Sequence, residues 1–394
     1  MNALTAKGEA LALLRSHVHS LPFPKFLHLE PTNACPLRCV MCPRQEGKRP
    51  VGFLRWSLFK RIADECAARG PLDELILHKD GEPLLHPTLP RMIAYAKERG
   101  FIDVMFHTNG TIMTEPLARA LLDSNLDRII FSVDSPDKAT YEAMRIRSNW
   151  DKVVANVRFF AELRQRLGRT MPLIRTTMVM TDKTAHQVQD FVKLWKPLAD
   201  QITLQDLTWR AKVLESGEWK NREQSAVPAD MDEIRSEAKK HKLSFVCPYL
   251  YQSAYTFWNG DVIPCSNPNA RKYMVMGRLD QQSFHEIWHG KAYQELRILH
   301  ESGRWDEHPI CRDCEIPLIE LYKALEKDGV KFASAQPTDP EAPLLVASGM
   351  VPKGQEAVDL VTKFQQALSK PLTAPPASSS EASSGGGCGG SCHR

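Results

Sequence analysis

Between Phe26 and Asp206 the chain alternates short apolar runs with longer amphipathic stretches, and this repeat constrains the fold more than any other feature. The runs are rich in Ile, Val, Leu and Phe, as buried parallel strands are, and the stretches between them have the period of helices. The predicted strands are 26–30, 74–78, 102–107, 127–133, 172–180 and 201–205, and the predicted helices are 57–69, 88–99, 115–123, 137–145, 151–167 and 184–197. Six βα repeats imply an α/β fold, a parallel sheet with helices outside it, whose chemistry gathers at the carboxyl ends of the strands.

Three cysteines lie on one loop directly after the first predicted strand. Cys35, Cys39 and Cys42 have the spacing C-x3-C-x2-C. Three thiolates on one loop can hold three irons of a [4Fe–4S] cube and leave the fourth iron open to a ligand that is not protein. Structural zinc is the alternative, but it takes four ligands, usually as two close pairs, and fits this loop poorly. Cys66 is isolated within a predicted helix, and we expect it to be a buried apolar residue.

A second group of cysteines lies in the C-terminal half of the chain: Cys247, Cys265, Cys311 and Cys314. Four thiolates can fully ligate a second [4Fe–4S] cluster, and the spacing alone leaves a structural zinc as the alternative. Around these cysteines, residues 255–265 predict a β-hairpin with an Asn-Gly turn, and residues 283–300 predict one amphipathic helix. A further helix is predicted over 231–242.

Composition narrows the class of protein. Of the 394 residues 43% are hydrophobic and 25% are charged, which is ordinary for a soluble globular protein. The net charge of +4 is small and the basic residues are spread, which argues against nucleic-acid and membrane partners. No apolar run approaches the roughly 20 residues of a membrane helix, and the N-terminus lacks the apolar region of a secretory signal. We therefore predict a cytoplasmic protein whose ten cysteines serve metal or redox chemistry.

The cysteine loop, together with the segments that follow later strands, resembles the radical S-adenosylmethionine (SAM) superfamily. The resemblance implies a partial (β/α)6 barrel in which the open iron chelates the amino and carboxylate groups of SAM. It also implies that an electron from the cluster cleaves SAM to a 5′-deoxyadenosyl radical, which abstracts a hydrogen atom from the substrate.

The same resemblance extends to residues around SAM. Lys79–Pro83 resembles the Gly-Gly-Glu-Pro motif that receives the SAM ammonium, with Asp80 in the place of the first glycine. His107–Thr111 resembles the family's Thr-Asn-Gly segment, and Ser132–Ser135 resembles its Ser-x-Asp segment near the ribose and carboxylate of SAM. The residue before the third cysteine is similar to one whose backbone contacts adenine. The SAM-binding residues that the resemblance implies are Met41, Gly81, Glu82, Asn109, Ser132 and Asp134.

The C-terminal cysteines and the segments between them resemble the SPASM or twitch extension of radical SAM enzymes. The segments that carry this likeness are Gly260–Cys265, Met276–Arg278, Glu286–Gly290 and Cys311–Cys314. A full SPASM module has further cysteines after the last pair, whereas the next cysteine here is Cys388, so we expect one auxiliary cluster. This shortened layout is similar to the twitch type of 2-deoxy-scyllo-inosamine dehydrogenases. Such a cluster accepts the electron left on a substrate radical, and structural support is the alternative role.

These observations predict a radical SAM oxidoreductase with SAM and two [4Fe–4S] clusters, which oxidises a carbon of a small molecule and takes electrons from a flavodoxin or ferredoxin. Modification of a peptide is one alternative, although the 25 or so residues before the first strand leave no room for a leader-binding domain. A non-catalytic metal-bearing scaffold is the other. The candidate proton acceptors are Asp206, Trp209, Arg210 and His78.

The predicted division of the chain has five parts. They are an N-terminal helical extension (1–25), a core barrel (26–207), a connecting segment (208–246), an auxiliary cluster domain (247–322) and a C-terminal extension (323–394). The last part ends in a low-complexity Gly/Ser tail that contains Cys388 and Cys392 and is expected to be disordered.

Overall fold

The computed structural model describes residues 23–42, 44, 49–69, 73–181, 183–206, 230–243, 245–267, 270–312, 314–331 and 350–351. Its strands are β1 (Phe26–Leu29), β2 (Arg38–Cys39), β3 (Glu74–Ile76), β4 (Asp103–Thr108), β5 (Arg128–Ser132), β6 (Arg145–Ile146), β7 (Leu173–Met180), β8 (Gln201–Asp206), β9 (Ser253–Thr256), β10 (Asp261–Ile263), β11 (Gly277–Arg278) and β12 (Met350–Val351). The predictions for residues 1–22, for most of the connecting segment with Trp209 and Arg210, and for the tail lie outside the described residues. The predicted domain division stays a prediction.

The helices alternate with the strands in the first half of the described chain, and the last four follow one another with no described strand between them. They are α1 (Trp56–Ala68), α2 (Leu89–Glu98), α3 (Glu115–Asp123), α4 (Lys138–Met144), α5 (Trp150–Arg166), α6 (Val188–Trp195), α7 (Met231–Lys240), α8 (Tyr249–Gln252), α9 (Ala270–Tyr273), α10 (Phe284–Trp288), α11 (Lys291–Glu301), α12 (Pro309–Arg312) and α13 (Glu315–Lys327). Among the described residues, no helix is long and apolar enough to cross a membrane.

Ten of the described strands form one sheet in the order β11-β10-β9-β1-β3-β4-β5-β7-β8-β12. The six predicted strands are its parallel central part, from β1 through β3, β4, β5 and β7 to β8, and each bound lies within two residues of its predicted place. The α/β fold expected from the βα repeat is therefore confirmed.

One face of this sheet packs against the helices. Alternate strand residues such as Leu75, Phe106 and Phe131 are fully buried in one large cluster with the apolar sides of the helices. Helix α1 contributes Leu58, Phe59, Ile62, Ala63 and Cys66 at the spacing of one helical face. Cys66 is 0% exposed, which confirms the prediction that it is a buried apolar residue.

The C-terminal hairpin extends the barrel sheet, which the sequence did not predict. Strand β9 pairs in parallel with β1, with Phe26 opposite Ser253 and Leu29 opposite Thr256. Strand β10 then pairs antiparallel with β9 through the predicted Asn-Gly turn. This pairing covers the edge of β1, whose free N–H and C=O groups would otherwise be open to other chains.

The helix predicted over 283–300 is wrong as one element, because α10 and α11 are separate helices. Gly290 is the N-cap of α11 and has an extended backbone, with ψ of 165°. A Cβ at this position would lie 2.7 Å from the Glu286 carbonyl oxygen, so the turn between the two helices requires glycine. A second core, which includes Phe245, Phe257 and Trp305, also contains Leu296 of α11.

Candidate active site

The face of the sheet opposite to the helices carries its side chains in rows across β3, β4 and β5. Nearest the amino ends of the strands, Arg128 forms ion pairs with Glu74 at 2.9 Å and Asp103 at 2.6 Å. One step further along the strands, Ile76, Met105 and Ile130 form a small apolar cluster of their own. Near the amino ends of the strands, this face of the sheet is therefore covered by a row of paired charges, followed by a row of apolar side chains.

Two histidines form the next row toward the carboxyl ends. The rings of His78 and His107 are stacked with centroids 5.2 Å apart. The register places Ile130 of β5 opposite His107, so Ser132 lies one step nearer the carboxyl end of the sheet. On the neighbouring strands, His28 stacks on Tyr255 with centroids 4.0 Å apart. Burial lowers the pKa of His78 to about 4, and burial with nearby cationic groups holds the pKa of His107 well below its usual value. Both imidazoles are therefore neutral at physiological pH and can accept protons.

The loop that follows β1 carries the first three thiols, which are all partly buried. Burial raises the pKa of Cys35 and Cys39, and it raises that of Cys42 to about 11. The thiols are thus protonated in the metal-free chain, and binding iron would release their protons. Two side chains direct N–H groups at these sulfurs, since Asn109 Nδ2 lies 3.7 Å from Cys35 Sγ and Arg145 Nη1 lies 3.9 Å from Cys39 Sγ. Such donors favour the thiolate form that an iron–sulfur cluster requires. The three thiols and their two N–H donors therefore fit a bound cluster.

Gly81 and Glu82 lie against the start of this loop. Glu82 N donates to the Ala34 carbonyl oxygen at 2.7 Å. The Glu82 carboxylate is 1% exposed and accepts hydrogen bonds from Thr108 Oγ1 and Asn109 N, both at 2.7 Å. Burial raises the pKa of Glu82 to about 7. The carboxylate therefore fastens the end of β4 to the loop after β3.

Asp80 takes part in a network of charges beside Gly81. Arg49 donates to Asp80 at 2.8 Å and to Glu30, a fully buried carboxylate, at 2.6 Å. Burial opposes the ionisation of Asp80, but Lys79 and Arg49 outweigh it and lower its pKa. Asp80 is thus an ionised carboxylate at the place where the resemblance expects a glycine.

This network also contacts the C-terminal hairpin. Trp258 N donates to Glu30 Oε2 at 3.1 Å, and the Arg49 guanidinium lies 4.4 Å from the centre of the Phe257 ring. The segment after the cysteine loop is therefore held from one side by β3 and from the other by the hairpin that leads to Cys265.

No role was predicted for Arg145, which the structure places beside the first thiols. Strands β2 and β6 pair antiparallel, with Cys39 opposite Arg145. Arg145 Nε donates at 2.7 Å to Asp134, a carboxylate that is 0% exposed and also accepts from Val179 N. Although burial disfavours its charge, Asp134 and Cys39 raise the pKa of Arg145. Asp134 therefore orients Arg145 toward the sulfur.

The remaining predicted SAM-binding residues surround the same edge. Asn109 lies between Cys35 and Glu82, and its Oδ1 accepts from Thr111 N at 3.0 Å. Met41 and Ser132 are half-buried, the first on the cysteine loop and the second at the end of β5. All six predicted residues thus lie on the cysteine loop, at the carboxyl ends of β4 and β5, or in the loop that follows β3.

The four C-terminal thiols come from four places in the chain but influence one another. Cys247 precedes α8, Cys265 follows β10, Cys311 lies in α12 and Cys314 is the N-cap of α13. Burial is the main cause that raises the pKa of Cys311, and the like charges of the other three thiolates raise it as well. Burial and Cys265 raise that of Cys247 to about 12. One buried and three partly buried thiols within mutual electrostatic reach suit a four-thiolate metal site.

Two family models match the chain. The model of the radical SAM superfamily matches residues 29–194, and that of the SPASM iron-sulfur cluster-binding domain matches residues 247–315. The two matched ranges include all seven cysteines of the two groups.

Three relatives illustrate the range of similar proteins. A tungsten-containing aldehyde ferredoxin oxidoreductase cofactor-modifying protein of Pyrococcus furiosus is 24% identical over 324 residues, which are 74% of this chain and 87% of the relative. A PqqA peptide cyclase of Xanthomonas campestris is 23% identical over 314 residues, 71% of this chain and 77% of the relative. The crystal structure of Streptococcus suis SuiB bound to S-adenosylmethionine has a TM-score of 0.55 at 16% identity, covering 75% of this chain and 72% of that one. At such identity, the likeness to SuiB concerns the fold.

Proposed function

This chain belongs to the radical SAM superfamily and carries a SPASM domain, and from this premise we propose that it oxidises a carbon of a small molecule after removing a hydrogen atom from it. The radical SAM domain binds SAM and a [4Fe–4S] cluster, and the SPASM domain binds auxiliary iron–sulfur clusters. When bound, SAM and its cluster supply the one-electron chemistry that removes the hydrogen atom.

The proposal assigns Cys35, Cys39 and Cys42 to the cluster that binds SAM. The observation that supports this most is the position of Asn109, whose side chain contacts Cys35 Sγ while its backbone N–H donates to Glu82. One residue thereby joins the thiol loop to the motif that resembles the SAM ammonium site. We assign SAM contacts to the six residues named above: Met41, Gly81, Glu82, Asn109, Ser132 and Asp134.

The position of His78 and His107 supports a substrate site on this face of the sheet. The site would lie between the carboxyl ends of the strands and the apolar cluster nearer their amino ends. A ligand there would rest on Ile76, Met105 and Ile130 and would face two neutral imidazoles. Oxidation of a carbinol leaves a protonated carbonyl, which is a strong acid, so even a weakly basic imidazole suffices to accept the proton. We assign that role to the His78–His107 pair. Asp206 is another candidate, but only its backbone is described, so no role is assigned to it.

We assign Cys247, Cys265, Cys311 and Cys314 to one auxiliary [4Fe–4S] cluster that receives the second electron. For the electron donor, an acidic flavodoxin or ferredoxin in the cytoplasm, the ladder of β2 and β6 offers a docking surface. Arg38, Ile146 and Arg147 are exposed there, directly beside Cys39. Positive side chains around an apolar one suit an acidic carrier protein.

The test begins with iron and acid-labile sulfide after anaerobic purification. We expect about eight irons per chain in the parent and about four in the variant C35A/C39A/C42A. With dithionite, the parent should cleave SAM to 5′-deoxyadenosine and the variant should not. About four irons in the parent, none in the variant and bound zinc would make the C-terminal site a zinc module and refute its role as electron acceptor.

Modification of a peptide is the second candidate function, and the similarity to a PqqA peptide cyclase over 314 residues favours it. The two candidates differ in the size of the molecule that loses hydrogen. An extract of cells grown in deuterated medium is separated by ultrafiltration into small molecules and peptides, and each fraction is incubated with enzyme and SAM. Deuterium in 5′-deoxyadenosine from the small-molecule fraction alone supports the first candidate, and deuterium from the peptide fraction alone supports the second.

A further inference from the structure

A buried histidine contacts one of the C-terminal thiols. His300 lies in the last turn of α11, and its Nε2 is 3.4 Å from Cys311 Sγ. The imidazole is 1% exposed, and Cys311 is 9% exposed. The sequence singled out the cysteine but not the histidine, which is eleven residues earlier in the chain.

The surroundings of His300 are those of an apolar side chain. It occupies the buried side of α11 together with Tyr293 and Leu296, and its ring lies 6.4 Å from that of Phe245. A polar group in such a place is costly unless it is hydrogen-bonded, and leucine would fill the position without that cost. Besides a hydrogen bond with the backbone of Phe245, the contact with the Cys311 sulfur is the polar contact that leucine could not make here.

The direction of this hydrogen bond follows from the chemistry of a bound cluster. In the metal-free chain, the Cys311 thiol can itself donate to the imidazole. Once the sulfur is bound to iron it has lost its proton, so only an imidazole N–H can donate. Hydrogen bonds to the sulfurs of an iron–sulfur cluster tune its reduction potential, because they stabilise the extra negative charge of the reduced state.

We propose that His300 donates a hydrogen bond to the Cys311 thiolate and raises the reduction potential of the auxiliary cluster. This inference rests on the proposed ligation of that cluster by Cys311. His300 acts through the sulfur and touches neither substrate nor SAM, so it is a positioning residue. A higher potential makes the cluster a better acceptor for the electron that leaves the substrate.

The test measures the auxiliary cluster alone, in the full chain with C35A/C39A/C42A, by a redox titration followed by electron paramagnetic resonance. His300→Leu removes the donor, and His300→Gln places an amide N–H near the position of Nε2. His241→Gln is the control, because this exposed histidine pairs with Glu237. We expect His300→Leu to lower the reduction potential of the auxiliary cluster. At a fixed solution potential, the ratio of oxidised to reduced cluster should then rise several-fold to about tenfold, where tenfold corresponds to 59 mV for one electron. His300→Gln and the control should stay near the parent.

A second measurement does not depend on the folding of His300→Leu. In protein labelled with 15N-histidine, the reduced cluster should show one weak hyperfine coupling to nitrogen, which is lost in His300→Gln. An unchanged potential in His300→Leu, or no coupling in the labelled parent, overturns the inference while leaving the cluster assignment intact. A strong coupling typical of direct coordination also overturns it. Absence of iron from C35A/C39A/C42A overturns the proposed ligation and this inference together.

Discussion

Gly81 offers a sharp test of how the SAM-side motif and the cysteine loop fit together. Its φ is +103°, and a Cβ there would lie 2.4 Å from the Thr32 carbonyl oxygen and 2.7 Å from that of Ala34. Gly100 also has a positive φ, +89°, but no atom lies within 4 Å of a Cβ built on it. The pair Gly81→Ala and Gly100→Ala therefore separates backbone strain from the contact with the loop.

Strain at a positive φ costs about 2 kcal/mol, and we expect this loss of unfolding free energy in Gly100→Ala. In Gly81→Ala, the Thr32 carbonyl must also retreat by about 1 Å to reach an ordinary contact of 3.4 Å. Overpacking of this kind adds about 2 kcal/mol, for a total of about 4 kcal/mol. Because the displaced segment leads directly into Cys35, Gly81→Ala should also lose iron from the first cluster and affinity for SAM.

Urea denaturation of the metal-free chains measures the two free energies, and iron analysis with equilibrium SAM binding measures the site. Gly100→Ala should keep its full iron content and its affinity for SAM. Equal losses of stability in the two variants, with iron and SAM binding in Gly81→Ala unchanged, would refute the close contact between Gly81 and the loop.

Three other perturbations test single contacts. Arg145→Met leaves the buried Asp134 carboxylate without its cation, so urea denaturation should show a loss of unfolding free energy of about 3–5 kcal/mol. Adding Asp134→Asn should largely restore it. A loss below about 1 kcal/mol would contradict this pairing. Burial raises the pKa of Glu82 from 4.5 to about 7, so folding favours its protonated form and stability should fall as pH rises through this range, by roughly 3 kcal/mol at most. Glu82→Gln should flatten that part of the pH profile of the metal-free chain, and an unchanged slope would argue against the raised pKa. Glu65 accepts from two backbone N–H groups at the start of α10, at 2.9 and 3.0 Å, so Glu65→Ala should cost about 1–2 kcal/mol, compared with a negligible effect of the exposed Glu98→Ala.

The local pattern of the sequence was enough to predict the central strands and most helices. Buried strands such as β5, with Ile129, Ile130 and Phe131 in succession, have few alternatives, because an apolar run of this length between helical stretches must be covered on both faces. The cysteine loop was predictable for a similar reason, since its three ligands lie within eight residues of one another.

Contacts between distant residues could not be predicted in this way. The ladder of β2 and β6 joins Cys39 to Arg145 through strands of two residues, which are too short to have a period. Nothing local indicates that Arg145 is buried or that Asp134 is its partner. The contact of His300 with Cys311 likewise depends on the angle between two helices, which the pattern of apolar residues leaves open.

The row of histidines on β3 and β4 is an intermediate case. Alternation along each strand shows that His78 shares a face with Ile76, and that His107 shares a face with Met105. It does not show that both strands turn this face to the same side at the same height, because that depends on register. The pairing of Ile76 with Met105 supplies this information.

Strand β1 belongs to both halves of the molecule. It bonds to β3 on one side and to β9 on the other, and the cysteine loop starts immediately after it. A chain truncated after β8 would therefore leave the bonding edge of β1 bare, beside the buried side chains of Leu27 and Leu29. Bare edges of this kind recruit strands from other molecules, so a separately expressed barrel is expected to aggregate.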